Sequence, residues 1–161
     1  MPAELSAEQV WEVIEKHNFG VLGMVTAKGD SRTAGIVYIV DERRLYIGTW
    51  TDMWKTRHVA QNPNVSLTIP IHKRVPFMPW IKVPAATITF CGRADVHEAL
   101  DVPRKLLAKL YHGVAEDREK MARYSLIEVT PEKEFLTYGI GVSLLDMRDP
   151  LKARKRAPVG V

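Results

Sequence analysis

Hydroxyl, cationic and aromatic side chains crowd one short stretch of the chain, "GTWTDMWKTRHVAQNPNVSL" (48–67). Thr49 and Thr51 stand at the end of a predicted strand, and Lys55 falls in the first turn of a predicted helix. Free backbone N–H groups and the helix dipole favour an anion there, and a lysine with threonine hydroxyls suits phosphate. Arg32, one strand earlier, is placed to reach the same point. Two interpretations stay open: a phosphate site, or a plain Thr-rich connection with a solvated lysine.

Other chemistries lack their usual residue patterns. The five histidines show no metal-ligand spacing, and Cys91 has no cysteine or histidine close in sequence, so no metal site is expected. The chain has no Gly-x-Ser-x-Gly elbow and no glycine-rich nucleotide loop. These patterns argue against a hydrolase and a nucleotide-loop protein, and they leave the identity of any catalytic residue unknown.

Composition is that of a globular protein of one domain. The 161 residues are 46% hydrophobic and 26% charged. The apolar runs are too short to cross a bilayer, and the first residues are charged where a signal peptide would be apolar, so we expect no membrane partner. A single cysteine excludes an internal disulfide, and the cytoplasm is the expected compartment.

Basic charge is concentrated at the carboxyl end. The net charge is +4, and residues 148–161 hold five basic residues and one acidic residue. Residues 1–147 therefore hold 18 of each sign and are neutral. We expect a single domain over 1–147 with a basic tail over 148–161 that is solvated or packed on a partner. Nucleic-acid binding by this tail is the less favoured interpretation.

Hydrophobic periodicity and turn residues predict mainly strands. Ser6 and Gln9 form a capping box for a first helix, Asp52 is expected to cap the short helix 53–61, and Asp101 to cap a third helix. Predicted strands cover 19–26, 31–40, 45–49, 65–69 and 85–96, with a bulge or bend at Gly92. A further helical piece covers about 115–123, and two final strands are divided at Thr130-Pro131. This order predicts a predominantly β barrel with peripheral helices.

The stretch from Met24 to Ile69 resembles the core of the pyridoxamine 5′-phosphate oxidase-like family, the FMN-binding split barrels. In that family a strand ends in Thr, a Lys follows six residues later, and "N-P-x-V-S-L" comes next. Thr49, Lys55 and "NPNVSL" (62–67) match this pattern. "TFCGRADV" and "LIEVTPEKEFL" resemble two later strands of the family, so the resemblance covers roughly residues 10–140.

The resemblance implies an antiparallel, Greek-key-like split β-barrel that binds FMN at a homodimer interface. It also implies an oxidoreductase with a small-molecule redox partner and an unknown substrate. The residues that match the family's cofactor-binding positions, or flank them, are Arg32, Thr33, Ala34, Gly35, Ile36, Thr49, Trp50, Thr51, Lys55 and Thr87. Among these, Thr49 and Lys55 are expected to hold the phosphate, and Trp50 either packs on a flat surface or lies in the dimer core.

Three departures from the true oxidase argue against a vitamin B6 substrate. Trp54 stands where the oxidase has an arginine, Tyr38 stands where it has a lysine, and its arginine-rich C-terminal motif has no counterpart here. The alternative is a non-catalytic binding or carrier protein of the same fold that holds deazaflavin F420 or haem, with His58 as the candidate haem ligand. The proline-rich segment 70–84 is either an apolar lid over the cofactor or a dimer-packing loop.

Overall fold

Eight strands form one antiparallel sheet in the computed structural model, which describes residues 4–160. The strands are β1 (Phe19–Val25), β2 (Ser31–Val37), β3 (Ile39–Asp41), β4 (Arg44–Trp50), β5 (Asn64–Ile71), β6 (Ala86–Glu98), β7 (Tyr124–Tyr138) and β8 (Arg154–Pro158). The helices are α1 (Ala7–Glu15), α2 (Trp54–Gln61), α3 (Arg104–Leu110), α4 (Arg118–Met121) and α5 (Pro150–Ala153). The sheet order is β2-β1-β5-β6-β7-β4-β3, and β8 adds to β7.

The sheet curls until its two ends approach each other. β3 follows β2 after a single residue, Tyr38, and pairs with β4 at the far end of the strand order. Cα atoms of β2 accordingly lie within 8 Å of Cα atoms of β4. The predicted split barrel with peripheral helices is therefore confirmed.

The larger hydrophobic core lies inside the curl, and α1 covers it. The predicted capping box is present: Gln9 N–H donates to Ser6 Oγ over 3.2 Å, and Ser6 N–H donates to Gln9 Oε1 over 2.9 Å. Trp11, 3% exposed, packs edge-on against Phe135 at 5.4 Å. Tyr38, fully inside, donates its hydroxyl to Ile14 O at 2.8 Å. The amphipathic helix is thus fixed to the sheet by both apolar and polar contacts.

A smaller core lies under α3 and α4. Leu106, Leu107 and Met121 from this helical region pack against Tyr46 and Leu126 of β4 and β7. Part of the sheet is therefore covered on its second face by the chain's own helices. Each helix among residues 4–160 is too short or too polar to span a lipid bilayer.

Two predicted helix caps are wrong. The α2 helix begins at Trp54 with Met53 as its N-cap, and no side chain caps it, so Asp52 lies one residue too early. Asp101 lies in a short 3₁₀ turn, and α3 begins only at Arg104, directly after Pro103. Pro103 is the N-cap, and its carbonyl accepts from the N–H groups of Leu106 and Leu107, so the helix starts there and not at the aspartate.

The predicted break at Thr130-Pro131 is also wrong, because β7 runs unbroken through it. The β6–β7 ladder is irregular between Thr89 and Cys91, so the missing N–H of Pro131 falls beside an interruption of the pairing. Gly92 pairs with Pro131, and a Cβ on Gly92 would lie 2.6 Å from Thr130 O. The irregularity expected near this glycine is present, and the glycine allows the two strands to approach closely.

The basic C-terminal segment folds onto the body. β8 pairs with β7, and the pairing runs from Glu134 opposite Pro158 to Tyr138 opposite Arg154. Trp11 Nε1 donates to Val159 O at 3.0 Å, which joins the segment to α1. The positive charge therefore lies along a strand of the sheet.

Candidate functional site

The end of β4 is joined to the first turn of α2 by threonine hydroxyls. Thr49 is 5% exposed, and its Oγ1 lies 3.1 Å from Oγ1 of Thr56. Thr56 Oγ1 in turn donates to Trp50 O at 2.9 Å. The Thr49 hydroxyl is therefore engaged inside the protein, where it fixes the helix start relative to the strand.

The start of α2 offers free donors to an anion. The first helical hydrogen bond runs from Arg57 N–H to Met53 O, so the N–H groups of Trp54, Lys55 and Thr56 have no acceptor within the helix. Met53 supplies no side-chain cap for them. Lys55 is half-buried and makes no salt bridge within residues 4–160. Uncapped N–H groups and a lysine ammonium at one helix end form an arrangement that binds phosphate groups.

Thr51 is tied to the opposite strand. Its N–H and its Oγ1 both donate toward Arg123 O, at 3.0 and 3.2 Å, and Oγ1 lies 2.9 Å from Ser125 Oγ. The hydroxyl of Thr51, one of the predicted cofactor-binding residues, therefore also has its hydrogen-bond partners within the protein. These bonds place Arg123, a residue that no sequence motif singles out, beside the end of β4.

A cavity of about 510 Å³ opens next to this junction. Its walls combine two aromatic rings with polar and charged groups, and the residues that line it are Trp50, Thr51, Asp52, Lys120, Arg123 and Tyr124. Trp50 is 56% exposed, and its ring meets Tyr124 edge-on at 6.2 Å. The indole of Trp50 thus forms part of the wall of a cavity.

Tyr111 holds the end of β4 in place, and sequence patterns gave no sign of this role. Its hydroxyl accepts from Thr49 N–H at 3.1 Å and donates to Ser125 O at 2.9 Å. Burial raises the pKa of Tyr111 to about 12. A Cβ on Gly48 would lie 2.9 Å from the same hydroxyl, so the glycine provides the space for the tyrosine.

The β2 residues lie partly beside this junction. Arg32, Thr33 and Gly35 are exposed, Ala34 is half-buried, and Ile36 is 4% exposed. The Ile36 end of β2 leads into β3 and so lies next to β4, whereas Arg32 stands at the opposite end. Arg32 Nη1 donates to Ser31 O at 2.8 Å, and its Nη2 lies 3.9 Å from Asp30.

Thr87 and Thr49 pair with opposite ends of β7. Thr87 pairs with Tyr138 on β7, whereas Thr49 pairs with Ser125 on that strand. Position 138 is thirteen residues (138 − 125) further along β7 than position 125. The structure therefore brings together Thr49, Trp50, Thr51 and Lys55 but not Thr87.

His58, the candidate haem ligand, is half-buried on α2. Its ring packs against Trp54 at 5.8 Å, and its buried Nδ1 has no hydrogen-bond partner within residues 4–160. In the same part of the chain, no group of three or more His, Cys, Asp or Glu side chains is arranged to hold a metal ion.

Comparison with solved structures identifies proteins of the same fold. General Stress Protein 26 from Bacillus anthracis str. Sterne has a TM-score of 0.60 at 21% identity, over 85% of this chain and 95% of that chain. An F420 reductase has a TM-score of 0.52 at 20% identity, over 74% of this chain and 90% of that chain. HutZ, the heme storage protein from Vibrio cholerae, has a TM-score of 0.62 at 15% identity, over 83% of this chain and 94% of that chain.

Sequence comparison gives the family. A search of curated protein sequences yields no match. The family model described as pyridoxamine 5′-phosphate oxidase, however, matches residues 6–138, which is most of the chain. The residues that the match covers include β1 to β7 and the junction of β4 with α2. The chain therefore belongs to the pyridoxamine 5′-phosphate oxidase family.

Proposed function

We propose that this protein binds FMN at the junction of β4 and α2 and acts as an FMN-dependent oxidoreductase. The observation that carries the proposal is the uncapped start of α2 with Lys55 in its first turn. An FMN phosphate is a dianion that matches these donors. Membership of the family and the structural likeness to an F420 reductase support a flavin-type cofactor.

The residues at the junction have separate tasks in this proposal. Lys55 and the first N–H groups of α2 hold the phosphate, while Thr49 and Thr56 fix the helix start to the strand. The exposed residues of β2 run beside the flavin ring in this proposal. The flavin supplies the electron transfer, and the chain supplies anchoring, orientation and exclusion of water.

The position of Thr87 supports a homodimer. Thr87 and Thr49 pair with opposite ends of β7, and a second copy can present its own Thr87 to a cofactor held by Lys55. Large apolar side chains on and beside β2 are exposed as well, with Phe19 at 48% and Val37 at 62%. Sedimentation of the purified protein at several concentrations is expected to give a dimer, and a monomer at micromolar concentration would contradict this proposal.

Binding of FMN and riboflavin gives the decisive test, because the two differ only by the phosphate. The Lys55→Gln variant should lose about tenfold in FMN affinity, the effect of one hydrogen bond to a charged group, with little change for riboflavin. Lys28→Gln, on the exposed turn after β1, is the matched control and should leave both affinities unchanged. Equal losses for both ligands, or no FMN binding by the unaltered protein, would refute the proposal.

The alternative cofactors are separated by the absorption spectrum and the mass of the molecule released on denaturation. Haem has one observation in its favour, the buried Nδ1 of His58 without a partner in the described part of the chain. A Soret band in the purified protein that His58→Ala removes would replace FMN by haem. A released deazaflavin would instead assign F420, and a bound flavin that no electron donor reduces would indicate a carrier.

A further inference from the structure

The cavity beside Trp50 joins the end of β4 to elements that the cofactor anchor does not use. Trp50, Thr51 and Asp52 supply one wall, and the end of α4 and the start of β7 supply the other. Its volume of about 510 Å³ lies in the range typical of small-molecule sites. The indole of Trp50 and the ring of Tyr124 give it an aromatic lining.

The charged groups around the cavity favour a single negative charge. Arg123 has no carboxylate partner within residues 4–160, whereas Lys120 lies 3.5 Å from Asp117. Asp52 is the one carboxylate among the lining residues, and the Thr51 hydroxyl is already bonded. Arg123 is therefore the cation that is available to a ligand, and Asp52 opposes it in part.

The cavity wall and the proposed phosphate site share one piece of rigid backbone. Trp50 O accepts from Thr56 Oγ1 at 2.9 Å and from Met53 N–H at 3.2 Å, so the residue that carries the indole also anchors α2. A molecule in the cavity and a cofactor phosphate at Lys55 would lie on two sides of the same turn. Lys55 is not among the residues that line the cavity, so we expect both sites to be occupied at the same time.

We propose that this cavity binds a flat, apolar molecule that carries one negative charge. The rings of Trp50 and Tyr124 contact its flat face, and the guanidinium of Arg123 binds its charge. The further role of the cavity, as the substrate pocket next to the flavin, rests on the proposed function. The binding itself does not.

Two fluorescent probes test the proposal, anilinonaphthalene sulfonate and the neutral N-phenylnaphthylamine, which lacks the sulfonate. The unaltered protein should bind the sulfonate more tightly. Arg123→Gln should weaken the sulfonate about twofold to fivefold, as expected for an exposed ion pair, and leave the neutral probe unchanged. Asp52→Asn should act in the opposite direction on the sulfonate alone. Trp50→Ala should weaken both probes, and Lys28→Gln should affect neither.

Three results would overturn the proposal: equal affinity for the two probes, an Arg123→Gln variant that binds the sulfonate normally, or displacement of the sulfonate by FMN. Displacement would make the cavity part of the cofactor site. A protein that binds the sulfonate in this pattern but never binds FMN would refute the proposed function and leave the cavity assignment intact. Circular dichroism of each variant verifies that it is folded.

Discussion

Replacement of Tyr111 by phenylalanine isolates the bond network that fixes the end of β4. The tyrosine hydroxyl is the acceptor for Thr49 N–H at 3.1 Å and the donor to Ser125 O at 2.9 Å. Phenylalanine keeps the ring, whose edge packs against Tyr124 at 4.6 Å, so the apolar contacts persist. Thr49 and Ser125 are 5% and 1% exposed, so water does not readily replace the lost partner. The expected loss in the free energy of unfolding is about 1–3 kcal/mol.

Urea unfolding followed by circular dichroism measures this loss. The matched control is Tyr124→Phe, since the Tyr124 hydroxyl makes no hydrogen bond within residues 4–160. That control should change the free energy of unfolding by less than about 0.5 kcal/mol. Equal effects of the two substitutions would show that the Tyr111 hydroxyl is not what holds the strand end. The reasoning about the junction of β4 and β7 would then be wrong.

Three further predictions concern stability at alkaline pH, the pairing of β6 with β7 and the loop that contains Lys73. Burial raises the pKa of Tyr38 and Tyr111, the latter to about 12. The stability that the two protonated hydroxyls contribute is therefore fully present below pH ~10 and is lost as the pH rises toward 12. Tyr38→Phe should make the free energy of unfolding fall less steeply with pH in urea titrations above pH ~10. Gly92→Ala should cost about 1–3 kcal/mol in urea unfolding, because its Cβ would meet Thr130 O at 2.6 Å. Lys73→Met removes two hydrogen bonds from the Lys73 ammonium to the carbonyls of Gly139 and Val142 after β7. These bonds hold the loop 72–85, so limited proteolysis should cut that loop faster in the variant.

Features that depend on neighbours in sequence could be predicted. The capping box of Ser6 and Gln9 needs only residues three apart, and the structure contains it. The strands β1, β2 and β4 follow from apolar runs bounded by turn residues. The split barrel followed from the order of these elements together with the family pattern around Thr49 and Lys55. Local rules and a motif were therefore enough for the fold.

The errors arose where two local signals competed or where pairing decided the outcome. Asp52 and Asp101 are good capping residues, but the helices start later, one after an uncapped Met53 and one after Pro103. Pro131 is a strand breaker by local rules, yet β7 continues because the β6 ladder is already irregular beside it. Whether a proline interrupts a strand depends on the partner strand, and a single sequence does not show which strand that is.

The candidate site shows the same limit more sharply. Tyr111 contacts Thr49 and Arg123 contacts Thr51, although the two pairs are 62 and 72 residues apart in sequence. No spacing rule predicts such contacts.

The basic segment 148–161 is part of the folded body, because its residues form β8 and its Val159 O accepts from Trp11. Deleting it to test nucleic-acid binding would also remove a strand and its bond to α1, and so would destabilise the protein. Neutralising Arg154 and Lys155 by glutamine keeps β8 and lowers the surplus positive charge of the segment from four to two. This variant therefore separates an electrostatic role of the segment from its structural one.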